Sequence, residues 1–277
     1  LKLYPLYDDL LNHYLPIEAR MYLSHLIREN LPAGHLIDSD FSFLNQRLAR
    51  HYGIEGVIGH RMRKVSFPPE SPRGGLLTMG SVLKVTTDGF DTSPILRGAW
   101  ISRNIVGTPL SPPPESIPAL EPEHGHAETL REQIEQHKKN KTCHACHKSI
   151  DPYGFALESF DAVGEWREQY KIKQPHRGTF QYRPTGYFKM GAPVDSSGEI
   201  EGDEFEDIFG LKKALLLNER KIAYNFARKY FEYANGYEPN LVERLHFWDF
   251  LGKHPMNGRL KNLITEVLLY SLREANP

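Results

Sequence analysis

The chain has 277 residues, with 34 Lys and Arg against 35 Asp and Glu, a formal net charge of −1. So even a balance excludes the basic excess of a nucleic-acid binder, and 40% hydrophobic with 25% charged residues excludes a disordered chain. No apolar run reaches the roughly 18 residues that a membrane span needs, and two cysteines cannot build a disulfide scaffold.

Position 1 is Leu and no leader pattern follows it, so the expectation is a processed protein or a piece of a longer one. Residues 1–14 read as a short helical stretch. Residues 17–29 space Ile17, Met21, Leu23, Leu26 and Ile27 as an amphipathic helix does. A second helix is expected from Ser39 or Asp40 as N-cap, through Phe43, Leu44, Leu48 and Tyr52, to a stop at Gly53. Between Phe67 and Gly107, Pro68, Pro69, Pro72, Gly74 and Gly75 break helices, and the β-branched residues of 81–87 (SVLKVTT) predict a short strand. Prolines 109, 112, 113, 114, 118 and 122 then make a stiff, extended connector, the best internal boundary in the chain. Residues 127–139 are helical by composition, and 164–205, rich in Gly, Pro and aromatics, read as ordered loop. Helical signals return at 206–217, 219–235 with Gly236 as its stop, 239–252 and 258–273.

Both cysteines fall in one pentapeptide, Cys143-His144-Ala145-Cys146-His147. C-x-x-C-H is the pattern of c-type haem attachment. Two thiols three residues apart lie on one face of a helical turn, where they can form thioethers to the two vinyl groups of one haem. His147 is then placed to offer its imidazole to the iron. Its other ring nitrogen needs an acceptor, and a backbone carbonyl near Asp151-Pro152 is the expected one. Structural zinc usually takes four Cys or His ligands, and the sequence holds no second Cys pair. A thioredoxin-like dithiol expects a strand before the motif, where a lysine-rich helix end stands instead.

The surrounding residues carry a resemblance. TLREQIEQH (129–137) and CHACHKSIDPYGFALESFDAVGEWR (143–167) resemble the cytochrome region of planctomycete-type cytochrome c proteins. The likeness extends upstream through DSDFSFLNQRLARHYGI (38–54), GGLLTMGSVLKVTT (74–87) and TSPILRGAWISRNIVGTPLSPPP (92–114). Downstream it continues more weakly in APVDSSGEI (192–200) and KIAYNFARKYFEYANGYEP (221–239). Those are large secreted or periplasmic proteins built from several domains of unknown function. The resemblance implies a haem-bearing domain near the C-terminal end of a longer polypeptide, and gives a cofactor more firmly than a reaction.

The expected fold is mainly α, a cytochrome c-like haem domain with helical flanking regions and long ordered loops. The expected division is 1–60, a helical segment ending a preceding domain; 61–123, loop, short strand and Pro-rich connector; 124–205, the haem-binding region; and 206–277, helices packing on it. Cys143, Cys146 and His147 hold one covalent haem c, with Pro152, Tyr153, Phe155, Trp166 and Arg167 as further contacts to its faces and propionates. Arg97 and Trp100 are second choices for that role. The sixth iron ligand is open between Met190, in a loop before the last helices, Met79 as its rival, and a histidine, water or nothing. Each Met also has an ordinary reading as core filler. His124 and His126 read as a solvated pair or a surface metal site. Lys138, Lys139, Lys141 and Lys148 read as solvated helix-end lysines or a docking patch for an acidic partner.

The expected function is single-electron transfer within a larger extracytoplasmic assembly, with redox proteins or other subunits as partners. A haem enzyme of peroxidase or oxidase type, or a haem-bearing sensor or interaction module with an open distal site, is the alternative. No G-x-S-x-G, phosphate-binding glycine loop or H-E-x-x-H is present. Covalent haem attachment places the chain in the periplasm or at the cell surface, where haem leaves neither cysteine for a disulfide.

Overall fold

The computed structural model describes residue 4 and residues 7–87, 91–110, 129–138, 147–173 and 188–275. Cys143 and Cys146, His124 and His126, Lys139 and Lys141, and most of the Pro-rich connector lie outside them.

The first helix runs Asp9–Arg28 and joins the two helical stretches expected at 1–14 and 17–29. Asp8 caps it, its carboxylate accepting from the Leu11 amide at 2.7 Å. Leu11, Leu15, Tyr22 and Leu26 recur on the buried face, as helical periodicity requires. The expected helix from Ser39 or Asp40 is instead a strand, Phe41–Leu44, followed by a helix, Gln46–Tyr52. Asn45 is the true N-cap, accepting from the Leu48 amide at 3.0 Å. The error has a physical cause: all four strand residues are buried, and an apolar run buried on both faces shows no period. Phe41–Leu44 pairs antiparallel with Arg63–Ser66.

The predicted strand at 81–87 is a helix, Gly80–Val85. Its β-branched end suits a helix terminus because the Thr86 hydroxyl turns back to donate to the Val82 and Leu83 carbonyls. The segment expected as loop up to Gly107 also holds a helix, Pro94–Ile101, capped by Ser93 and continued by a π turn, Ser102–Val106. Asn104 and Ile105 lie in its last turn, where carbonyls have no intrahelical partner, and the buried Asn225 amide donates to both.

Residues 164–205 hold two antiparallel pairs, a correction to the loop expected there. Gln169–Lys173 pairs with Phe188–Pro193. Gly198–Ile200 pairs with Asp203–Phe205. Glu201 and Gly202 both have positive φ, the pattern of a tight two-residue hairpin turn. The C-terminal helices follow the expected boundaries closely: Ile208–Leu216, Glu219–Asn235, Leu241–Lys253 and Leu260–Ala275.

One large core joins the first helix, the helices after Gly75 and the C-terminal helices, through Tyr22, Leu26, Leu77, Met79, Phe160, Phe231, Phe247 and Val267. A smaller one joins Leu11, Leu15, Leu48, Tyr52 and Phe67. The architecture is mainly α with small two-stranded sheets. Among the described residues no helix is long and apolar enough to cross a membrane.

Candidate functional site

The segment that follows the C-x-x-C-H motif is held by a close helix crossing. Helix Asp151–Phe155 meets helix Pro94–Ile101 through Gly98 and Gly154. A Cβ on Gly98 would stand 1.9 Å from the Ile150 carbonyl oxygen, and one on Gly154 the same distance from that of Pro94. Only hydrogen fits at both places. The Ser102 hydroxyl also donates to the Ser149 carbonyl at 2.7 Å. The two sides of the expected boundary at 107–123 are therefore packed backbone to backbone.

On this platform His147 is 7% exposed. Its Nδ1 lies 2.8 Å from Asp151 Oδ1. A carboxylate only accepts, so Nδ1 carries a proton, and in a neutral imidazole the lone pair is then on Nε2. The expected acceptor was a backbone carbonyl; it is the side chain of Asp151, four residues on, at the start of the next helix. Asp151 is 2% exposed. Among the described residues its Oδ2 has no hydrogen bond, and Lys138 Nζ stands 3.6 Å away. Lys138 also pairs with Glu135 at 2.7 Å, so this lysine turns inward rather than standing solvated at the helix end.

Tyr153 and Phe155 are buried in the same segment, and burial pushes the Tyr153 phenol up to about 12. The Arg131 guanidinium stacks over the Phe155 ring at 3.9 Å. A Cβ on Gly198 would meet Pro152 at 3.2 Å, so the Gly198–Phe205 hairpin lies against Pro152. Trp166 is 43% exposed and meets Phe160 edge-on at 5.2 Å.

Arg97 and Arg167 converge on Glu158, a residue that the sequence analysis did not single out. Arg97 is fully buried and donates to the carbonyls of Leu157, Phe160 and Asp161 at 2.7–2.8 Å. It pairs with Glu158 Oε1 at 3.2 Å. Burial brings this arginine down to about 10. Arg167 donates to Glu158 Oε2 at 2.9 Å, and the Thr92 hydroxyl donates to the same oxygen at 2.7 Å. Trp100 is partly buried against the large core. Met79 is buried in that core, while Met190 is 49% exposed on the strand Phe188–Pro193 opposite Lys171.

Another buried carboxylate was missed. Glu18 accepts from the Ser42 and Tyr52 hydroxyls, and burial pushes it up to about 7. Arg73 stacks over the Tyr52 and Phe160 rings and donates to the Gly164 carbonyl at 2.6 Å. This cluster ties the N-terminal helices to the loop after Phe160. A buried acid inside an otherwise apolar helix face was its one signal in the sequence.

Residues 73–170 match the family model PSCyt3, described as a protein of unknown function (DUF1588). Residues 1–54 match PSD4, also a protein of unknown function (DUF1592). Both are uncharacterised families of planctomycete-type cytochrome c-like domains. The PSCyt3 match spans the C-x-x-C-H motif and its Asp151 partner, and the PSD4 match ends beside Gly53, where the helix Gln46–Tyr52 stops. No curated protein and no solved structure matches the chain.

Proposed function

We propose that this chain is a c-type cytochrome domain carrying one covalent haem, that it transfers single electrons within a larger extracytoplasmic assembly, and that it takes redox proteins or other subunits as partners. The observation that carries this reading is His147, next to Cys146 in the motif, buried and held by Asp151 at 2.8 Å. A ligand histidine needs its second nitrogen fixed by an acceptor, and the donor set here fits a haem iron through Nε2. When bound, haem supplies a one-electron iron couple.

The chain's own residues do the rest. Cys143 and Cys146 would hold the group through thioether links, and His147 would hold its iron. Asp151 holds the imidazole in one tautomer and one orientation. Tyr153 and Phe155, buried in the same segment, would cover the haem, and the half-exposed Trp166 would offer an aromatic edge. Met190 and Met79 stand as the distal candidates, the first on an exposed strand and the second from the core. Covalent haem attachment outside the cytoplasm supports a periplasmic or cell-surface location.

The test is a pyridine haemochrome spectrum on acid-acetone-extracted protein, then carbon monoxide added to the reduced form. The expected result is a c-type spectrum that survives extraction and a reduced spectrum unmoved by carbon monoxide. No haem after maturation in a haem-c-competent host would overturn the reading. Ready carbon monoxide binding would replace electron carriage with an open-site enzyme or sensor.

A further inference from the structure

We propose that Asp151, opposed by Lys138, sets the reduction potential of the iron by setting how strongly His147 donates to it. The inference rests on the haem reading above. A backbone carbonyl offers the Nδ1 proton a neutral acceptor; a carboxylate offers a full negative charge. Asp151 Oδ1 lies 2.8 Å from Nδ1, and the side chain is 2% exposed, so water screens this charge little. The stronger acceptor draws the proton away from Nδ1, makes Nε2 a stronger donor, and favours the oxidised iron.

Lys138 supplies the counterweight. At 3.6 Å from Oδ2 it is close enough to attract the carboxylate, but among the described residues Oδ2 receives no hydrogen bond. The shorter contact of the carboxylate is the one to His147, 2.8 Å against 3.6 Å. The geometry is also rigid, because Asp151 opens a helix whose backbone is clamped at Gly98 and Gly154. Asp151 acts here as a positioning and tuning residue, since it reaches the iron only through His147.

The test uses the full haem-loaded chain, with haem content checked by haemochrome before any potential is read. Asp151→Asn replaces the charge with a neutral acceptor of the same shape. It should raise the midpoint potential by about tenfold in the reduction equilibrium, which is about 59 mV for one electron. Asp151→Glu should return it toward the wild-type value. Lys138→Met should shift the potential the opposite way, downward and by less. The ferric electron paramagnetic resonance g-values should move in Asp151→Asn, because they report the donor strength of the histidine; a purely structural aspartate would leave them in place. Equal potentials and equal g-values in wild type and Asp151→Asn would overturn the proposal, as would a rise in Lys138→Met. If Asp151→Asn does not accept haem, Lys138→Met decides alone. A wild-type chain with no haem would instead overturn the reading underneath, and it is seen before any variant is made.

Discussion

Glu158 and Asp151 are both buried carboxylates within one short stretch of chain, and both face cations, yet the fold satisfies them differently. Glu158 receives Arg97, Arg167 and Thr92 on its two oxygens, and Arg97 also ties down three carbonyls. Asp151 receives one imidazole N–H at hydrogen-bonding distance, and among the described residues its other oxygen receives no hydrogen bond. Both oxygens of Glu158 are taken, although Arg97 Nε has no hydrogen-bond partner among the described residues, and this cluster locks residues 157–167 against helix Pro94–Ile101. Asp151 instead faces the histidine of the C-x-x-C-H motif with one oxygen and Lys138 with the other. A carboxylate bound on both oxygens acts as a structural tie, whereas one shared between a motif histidine and a lysine is where we place a chemical use.

The sharpest way to break this comparison is to unbalance the Glu158 cluster. Arg97→Ala leaves Glu158 buried with a lost partner and three carbonyls without their donor. It should cost about 3–5 kcal/mol, read as a lower denaturant midpoint at unchanged slope. Asp151→Asn should lose far less by the same assay, since a single neutral hydrogen bond can replace the one lost.

Glu18 extends the contrast to a carboxylate without a directly bonded cation. Its pKa is raised in the folded state, from 4.5 to about 7, so the folded protein holds a proton that the unfolded chain releases. The stability this contributes is fully present below about pH 4.5 and is lost as pH rises through about 7, up to about 3 kcal/mol across that window. Unfolding free energies measured at several pH values should show this slope, and Glu18→Gln should flatten it. A slope of the opposite sign would show that Glu18 is ionised in the fold.

Gly154→Ala tests whether the backbone crossing holds the motif segment. With the Pro94 carbonyl oxygen 1.9 Å from the new Cβ, the helices must separate, at about 1–3 kcal/mol. Haem content per folded chain should fall with it. The smallest effect belongs to Asn240→Ala at the capping box of helix Leu241–Lys253, about 1 kcal/mol in thermal or chemical unfolding. The expected haem content is unchanged, because that helix lies outside the motif segment.

The C-terminal helices were legible because their signals are local. Glu219–Asn235 ends at Gly236 as its sequence says, and Asn240 with Glu243 writes its cap in four residues. The hairpin at Gly198–Phe205 was not, since the Glu201-Gly202 turn carries only one of the usual turn residues. At the site, His147 was legible from the motif. Asp151 was noticed for the wrong atom: a backbone carbonyl was expected near it, and only the turn at 149–150 brings its carboxylate to the histidine. Glu158 had no local mark, because its partners Arg97 and Thr92 lie more than sixty residues away.

By itself the sequence determined the helical C-terminal region, the stop at Gly236, and the C-x-x-C-H motif with its histidine. Each depends on residues within a turn or two of one another, where backbone geometry leaves few choices. The tertiary structure alone decided that Phe41–Leu44 is a strand, that Gly80–Val85 is a helix, and that the two arginines belong to Glu158. Those outcomes depend on burial and on partners distant in the chain, and burial erases the periodicity that a sequence would otherwise show.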